Sequence, residues 1–239
     1  MTADVVFLFD VDNTLLDNDS IIADLKGHLE REFGLASSNR YWAIFEELRE
    51  EIGYADYLGA LQRYRFDTEI GGGPDAQRLL LMSKFLIGYP FAERLYGGAL
   101  NAIAHLGRFG PTVILSDGDV VFQPLKVQRS GLWDAVGGRV LIYVHKELML
   151  EQVQRHYAAR RYVMIDDKLR VLAAMKEAWP QRLTTVFARQ GHYAFDPAIL
   201  AAYPHADFTI GSIGELADFD VAKLLGAPAS PRHPSRKES

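Results

Sequence analysis

The chain of 239 residues is predicted to be an α/β protein with a parallel sheet and an inserted all-helical block. Short apolar runs rich in β-branched and aromatic residues, each followed by polar residues, are typical of strands buried on both faces. From Ala99 onward such runs alternate with helical patterns, which predicts parallel βαβ units. Between the first run and Ala99, roughly eighty residues show helical spacing only. These observations together predict the fold class.

The first predicted strand is Val5–Phe9, and it ends at Asp10-Val11-Asp12-Asn13-Thr14. Side chains alternate along a strand, so Asp10 and Asp12 share a face if the backbone stays extended. Two carboxylates this close need a cation, hydrogen bonds or a shared proton. Ligands of open α/β sheets bind beyond the carboxyl ends of the strands. We therefore expect a functional site here, although Asp-Asn-Thr alone is also ordinary turn composition.

The helical block spans residues 17–96. Its first helix is expected to end at Gly34 with Ser20 or Asp19 as a possible cap, and its second to end at Gly53. A third covers about 57–64, and Gly71-Gly72-Gly73-Pro74 opens a fourth. We expect a small bundle with hinge candidates around Asp17 and at Gly97-Gly98, because a lid needs a few positions that absorb backbone rotation.

The rest of the chain predicts five more strands and the helices between them. The strands are expected at 111–115, 140–144, 162–165, 184–187 and 207–210, with a helix from about Glu147 to Tyr157. Residues 226–239 are polar and rich in proline, which predicts a disordered tail.

Composition excludes several classes of function. The formal net charge of −5 argues against binding nucleic acid through a broad basic face. The chain has no cysteine, so disulfides, thiolate nucleophiles and thiolate metal sites are excluded. No leader-like N-terminus and no apolar stretch of membrane-spanning length is visible. A soluble cytoplasmic protein without a nucleic-acid or membrane partner is the expectation.

Polar groups follow four successive strands and are expected to converge in one crevice. They are Asp10 with Asp12, Ser116, Lys146, and Asp166 with Asp167. Each alone has an ordinary explanation, such as a helix cap, a turn or a solvated lysine. Chance placement of all of them after successive core strands is much rarer, and carboxylates, a hydroxyl and an ammonium fit phosphoryl transfer assisted by a divalent cation.

This order resembles the four motifs of the haloacid dehalogenase (HAD) superfamily, in its phosphatase branch. The matching segments are Asp10-Val11-Asp12-Asn13-Thr14, Val113-Ile114-Leu115-Ser116, Lys146, and Met164-Ile165-Asp166-Asp167. The resemblance runs to about residue 225 and implies a Rossmann-like HAD core of residues 1–16 and 97–225, with residues 17–96 inserted as a C1-type helical cap. Lys126, in the helix after Ser116, competes for the third motif. Lys146 is preferred because it directly follows a strand.

The resemblance also implies roles for these residues. Mg²⁺ is the implied cofactor, held by Asp10, the backbone carbonyl of Asp12, and Asp166, Asp167 or both. Asp10 is the implied nucleophile that forms an aspartyl-phosphate, and Asp12 the acid and base for the leaving alcohol and the attacking water. Ser116, Lys146 and the backbone amides of Val11 and Asp117 are implied to bind the phosphoryl group. The implied reaction is hydrolysis of a small-molecule phosphomonoester.

Several alternatives stay open. A phosphomutase of the same superfamily would keep all of these residues, whereas a phosphonate-cleaving member would need a further cap lysine. Dehalogenase members lack the second aspartate, so Asp12 favours a phosphatase. A receiver-like signalling module also uses aspartate, Mg²⁺ and lysine, but it lacks a helical insert. A family member that binds phosphate compounds without turnover is the remaining alternative.

In the helical block, four side chains are candidates to reach a leaving group: Arg63, Arg65, Lys84 and Tyr89. Solvated basic side chains are the commoner case on exposed helices. An aromatic set is expected mainly to pack between helices: Tyr41, Trp42, Phe45, Tyr54, Tyr57 and Tyr64. His145 and His192 are expected to border the site.

Overall fold

The structure, a computed structural model, describes residues 2–67 and 76–226. The predicted turn at 71–74 and the predicted tail beyond Gly226 lie outside the described residues.

Six parallel strands form the sheet, in the order β3-β2-β1-β4-β5-β6. Their bounds are β1 Ala3–Phe9, β2 Thr112–Asp117, β3 Val140–Tyr143, β4 Ala159–Asp166, β5 Leu183–Ala188 and β6 Phe208–Ile210. The predicted α/β class with a parallel sheet is confirmed. Phe9 pairs with Ile114 of β2 and Ile165 of β4. This register brings the residues that follow these strands to one edge of the sheet.

Helices cover both faces of the sheet. They are α1 Asn18–Phe33, α2 Leu35–Ile52, α3 Tyr57–Tyr64, α4 Ala76–Gly88, α5 Ala99–Leu106, α6 Phe122–Arg129, α7 Leu132–Ala135, α8 Leu150–His156, α9 Leu169–Ala178, α10 Pro197–Ala202 and α11 Val221–Gly226. Phe7 and Phe9 pack into one apolar cluster while Val6 and Leu8 pack into the other. Because successive side chains of β1 serve opposite cores, an uninterrupted apolar run is what this strand requires.

Two local predictions are wrong in detail. Instead of one helix from about Glu147, a 3₁₀ turn at Lys146–Leu148 precedes α8. His145 adopts the left-handed conformation at φ 59°, and the Lys146 N–H donates to Asp117 Oδ1 at 2.7 Å, so the chain bends before a helix can begin. The cap of α1 is Asp17, whose carboxylate accepts from Ser20 N at 2.9 Å.

The segments before α1 and after α4 lie side by side. Asp17 N donates to Arg94 O at 2.8 Å, and Tyr96 N donates to Leu15 O at 2.9 Å. Gly98 has φ 83°, and a Cβ placed there would lie 2.6 Å from the Cα of Gly214. Backbone conformation and packing both require glycine at this position, one of the two hinge candidates.

Among the helices of residues 2–67 and 76–226, none combines the length and the apolar character needed to cross a membrane.

Candidate active site

Asp10, at the end of the central strand, is 3% exposed. Lys146 Nζ donates to Asp10 Oδ1 at 2.5 Å, lies 2.7 Å from Asp166 Oδ2, and donates to Leu115 O at 3.3 Å. Burial alone would lower the pKa of Lys146, but the carboxylates of Asp10 and Asp166 outweigh burial and hold its pKa above the usual value. The structure therefore places Lys146, and not Lys126, beside the predicted nucleophile.

Three buried carboxylates form a cluster that can hold a cation. One oxygen from each of Asp10, Asp166 and Asp167 lies within 4.8 Å of the others. Among the described residues, Asp10 Oδ2 and both carboxylate oxygens of Asp167 have no hydrogen-bond partner. Burial raises the pKa of Asp166 to about 6 and that of Asp167 well above its usual value. Buried oxygens without partners are costly, so this donor set fits a hard divalent cation.

Ser116 and Asp117 are the last two residues of β2, the strand that pairs with β1. Ser116 is buried, and its Oγ accepts a hydrogen bond from Gln123 Nε2 at 3.0 Å. The Asp117 side chain fixes the turn that carries Lys146, through the 2.7 Å hydrogen bond from Lys146 N. Burial raises the pKa of Asp117. Only a backbone role was predicted for Asp117, so this side-chain contact is an addition from the structure.

The Asp12 side chain is not one of the three grouped carboxylates. It is 25% exposed, and Lys126 Nζ lies 2.7 Å from its Oδ1. Lys126 belongs to α6, the helix that also supplies Gln123. The two lysines that competed for one motif thus serve different aspartates.

Asn13 joins the end of β1 to the start of α1. It has a left-handed conformation at φ 60°, and its Oδ1 accepts from Asn18 N at 3.0 Å and Asp19 N at 3.2 Å. Its Nδ2 donates to Asp19 Oδ1 at 2.9 Å, and His192 Nδ1 lies 2.7 Å from the same oxygen. Burial opposes ionisation of Asp19, but the hydrogen bonds from Asn13 and His192 outweigh it and lower the pKa of Asp19. Helix α1 is thereby tied to the active-site strand and to the loop after β5.

A cleft of about 680 Å³ lies between the strand ends and the helical block. Its volume is in the range of small-molecule sites. The strand-end side contributes Asp12, Asp117, His145, Lys168, Arg170, His192 and Tyr193, and the helical side contributes Ile22, Lys26, Trp42, Phe45, Arg49, Tyr54 and Tyr57. Both histidines singled out in the sequence line this cleft.

The basic residues singled out in the helical block do not line this cleft. Arg63 pairs with Glu51 at 2.8 Å, and Tyr89 hydrogen-bonds with Asp24 and Arg94. Within the aromatic set, Tyr41 and Tyr64 are buried as expected. Four other members of the set line the cleft: Trp42, Phe45, Tyr54 and Tyr57. Their placement in the cleft was not foreseen, because helical spacing does not distinguish a bundle core from a cleft wall.

Sequence reasoning also missed Gln123 as a site residue and missed the contact between Lys126 and Asp12. The available signal was the position of both residues on one face of α6, three residues apart and directly after the second motif. A polar pair on one helix face is usually a solvated pair, so this signal alone does not point to the site.

Neither a protein-family model nor a curated protein matches the chain. Among solved structures, a haloacid dehalogenase-like hydrolase from Burkholderia xenovorans LB400 is 67% identical, with a TM-score of 0.85, over 91% of this chain and 99% of that one. A HAD hydrolase of Bacillus subtilis bound to magnesium is 19% identical over 90% and 97% of the two chains, with a TM-score of 0.58.

A third solved structure, the L-2-haloacid dehalogenase of Xanthobacter autotrophicus, is also 19% identical, over 91% and 97% of the two chains, with a TM-score of 0.58. At this identity the Bacillus and Xanthobacter proteins show a shared fold alone. The Burkholderia hydrolase shares two thirds of its residues with this chain over nearly its whole length. The chain belongs to the haloacid dehalogenase-like hydrolases.

Proposed function

We propose that this hydrolase is a Mg²⁺-dependent phosphatase that cleaves a small-molecule phosphomonoester through an aspartyl-phosphate on Asp10. The observation that carries the proposal is the cluster of Asp10, Asp166 and Asp167, whose buried oxygens include three without a partner in the described chain. Lys146 pairs with Asp10 Oδ1 and Asp166 Oδ2, and Lys168 N donates to Asp166 Oδ1 at 2.8 Å. Asp10 Oδ2 and the two oxygens of Asp167 therefore remain for a cation.

The donor set is compatible with Mg²⁺, which prefers oxygen ligands and usually keeps several waters. Asp10, Asp166 and Asp167 would hold it, and the family resemblance adds the backbone carbonyl of Asp12. When bound, the ion neutralises charge so that a carboxylate can approach a dianionic phosphate.

The chain's own residues supply the remaining chemistry. The Asp10 carboxylate attacks phosphorus, and the bond from phosphorus to the leaving oxygen breaks. Lys146 stabilises negative charge on Asp10 and on the phosphoryl group, while Ser116 Oγ and the Asp117 amide donate to phosphoryl oxygens. Asp12 gives a proton to the leaving oxygen and later takes one from the water that hydrolyses the aspartyl-phosphate.

Asp12 also separates this proposal from dehalogenation. L-2-haloacid dehalogenases are among the structures that share the fold, and a 2-haloacid is therefore the second candidate substrate. In dehalogenase members the second aspartate of the first motif is absent and no metal is required. A phosphatase uses both Asp12 and the unpartnered oxygens of Asp167, whereas a dehalogenase of that kind has no use for them.

We further propose that residues 17–96 act as a C1-type cap over a core of residues 1–16 and 97–225. The support is the cleft, which takes its walls from both parts. Substrate selection then falls to the helical side, where Lys26 and Arg49 line the cleft together with aromatic side chains. A cleft of about 680 Å³ suits a small molecule better than a polymer.

The test is hydrolysis of 4-nitrophenyl phosphate and of a phosphate-ester panel by wild type and Asp10→Asn, with Mg²⁺ and with EDTA. We expect turnover that needs Mg²⁺ and falls at least ~1,000-fold in Asp10→Asn, with an unchanged circular dichroism spectrum. Turnover that survives the substitution would exclude Asp10 as nucleophile. Release of halide from 2-chloropropionate would support the dehalogenase, and an isomeric phosphate ester in place of free phosphate would support a mutase.

A further inference from the structure

Lys126 is a fully buried lysine that the proposed chemistry does not yet use. It is 1% exposed, and its Nζ donates to Asp12 Oδ1 at 2.7 Å and to Asn18 Oδ1 at 3.1 Å. The rings of Phe122 and Tyr57 lie 5.7 Å and 6.0 Å from Nζ. A buried ammonium is tolerated only when it is paired and hydrogen-bonded. These contacts fix the ammonium at one place, and Asp12 is its ion-pair partner there.

Two side chains of helix α6, one turn apart, contact the residues of the candidate site. Gln123 Nε2 donates to Ser116 Oγ at 3.0 Å and lies 3.5 Å from Asp12 Oδ2. Lys126 Nζ donates to the other carboxylate oxygen, Asp12 Oδ1. Residues at i and i+3 lie on the same helix face. The two oxygens of Asp12 are thereby distinguished, because Oδ1 accepts from an ammonium and Oδ2 has only the long contact with Gln123.

We propose that Lys126 is the positioning residue for Asp12 in the phosphatase reaction, an inference that rests on the function proposed above. The bond from phosphorus to the leaving oxygen breaks as Asp12 Oδ2 transfers its proton to that oxygen. The resulting carboxylate is stabilised at Oδ1 by Lys126. Water then attacks phosphorus and gives a proton to Asp12, while the bond from phosphorus to Asp10 breaks and inorganic phosphate leaves. Protons therefore balance over one turnover. Lys126 touches neither substrate nor metal in this scheme and acts through Asp12.

The dependence of kcat/KM on the leaving group is a readout that a merely structural lysine would not change. A good leaving group needs little proton donation, whereas a poor one depends on it. The two probes are 4-nitrophenyl phosphate and 4-methoxyphenyl phosphate, which are similar in size and differ in the acidity of the leaving phenol. We expect Lys126→Met to lower kcat/KM for the methoxy ester at least ~5-fold more than for the nitro ester. Equal losses for both esters would overturn the proposal.

A matched control is Lys176→Met. Lys176 also forms a mostly buried pair with an aspartate, at 2.8 Å from Asp207 Oδ2, outside the cleft. Its removal should leave the ratio of the two kcat/KM values at the wild-type value. Lys126→Arg, which keeps a positive charge, should recover part of the ratio. If Lys126→Met does not fold, Asn18→Ala takes its place, because it removes the second acceptor that fixes the ammonium, and a smaller shift in the same direction is expected.

Failure of the proposed function can be told apart from failure of this inference. If the wild type hydrolyses neither ester, the phosphatase proposal fails, and the position of Asp12 is then read directly from crystal structures of the wild type and Lys126→Met. An Asp12 side chain that leaves its wild-type rotamer in the variant supports positioning by Lys126. An Asp12 side chain that stays in place overturns it.

Discussion

Two buried clusters of charged side chains lie at opposite ends of the sheet. They differ in whether their carboxylate oxygens have hydrogen-bond or ion-pair partners. Near the start of β5 and β6, Asp207 Oδ2 accepts from Lys176 Nζ at 2.8 Å, Thr185 N at 2.9 Å and Thr185 Oγ1 at 3.1 Å. At the carboxyl ends of β1 and β4, Asp10 Oδ2 and both oxygens of Asp167 accept nothing from the described residues. Within the described residues, the Asp207 oxygen is fully paired, whereas three oxygens of the second cluster have no partner.

This difference separates stability from function. A complete cluster compensates the desolvation of its charges and holds α9 against the strand ends. An incomplete cluster keeps like charges close together at a cost to folding, and a bound cation would offset that cost. Substitutions in the two clusters should therefore change stability in opposite directions.

The largest effect on stability is expected for Lys176→Met in the complete cluster. Asp207 is left buried without its cation, which should lower the free energy of unfolding by about 3 kcal/mol. Urea denaturation followed by circular dichroism measures this loss. The kcat/KM of the folded variant should match the wild type. A stable variant with impaired catalysis would break the proposed division between the two clusters.

A gain in stability is expected for Asp167→Asn in the incomplete cluster. Burial raises the pKa of Asp167, so its ionised form disfavours folding at neutral pH, and the variant should gain about 1 kcal/mol in the metal-free state. The gain should shrink as the pH falls through the raised folded value and vanish below the ordinary value of 3.8, where the carboxyl is protonated in both states. Thermal denaturation with EDTA at several pH values measures it.

The effect of Mg²⁺ on the Tm of wild type and of Asp167→Asn tests whether Asp167 binds the cation. A ligand that binds only the folded state stabilises it, by about 2.7 kcal/mol at a hundred times its Kd. Mg²⁺ should raise the wild-type Tm and should raise that of Asp167→Asn much less. An equal rise in both proteins would remove Asp167 from the proposed metal site.

The smallest effect on stability is expected for Asp19→Asn. The Asp19 carboxylate is partly exposed and accepts hydrogen bonds from Asn13 and His192. Because the side chain is 35% exposed, the loss should stay below about 1 kcal/mol. The pKa of Asp19 is lowered in the folded state, so its contribution is present above 3.8 and disappears as the pH falls through the folded value. Melting curves at pH 7 and pH 3 compare the two proteins.

The sequence predicted those parts of the molecule that repeat a simple physical rule. The apolar run Val5–Phe9 indicated a central strand, and the structure places β1 in the middle of the sheet. Parallel strands also bring their carboxyl ends together, so the proximity of Asp10, Lys146 and Asp166 follows from the strand order.

Contacts that depend on where a helix is aimed could not be predicted. Lys126 and Asp12 are separated by 114 residues, and no periodicity states which way α6 faces. The turn at His145 is a second example: its left-handed backbone is followed by a hydrogen bond from Lys146 N to Asp117, which belongs to a different strand. The cleft residues are a third, because aromatic side chains at helical spacing fit a bundle core equally well.

The hydrogen bonds between the two ends of the helical block bear on how the chain folds. Pairing of β1 with β2 brings Phe7 beside Thr112 and closes a loop of about a hundred residues. Closing long loops of this kind slows folding. Once Tyr96 N meets Leu15 O, the effective loop between the two strands shrinks to residues 7–15 and 96–112. That is a roughly fourfold shortening, which lowers the entropy cost of closure by about 1 kcal/mol. A helical block that forms early would bring distant strands of the sheet within reach of each other.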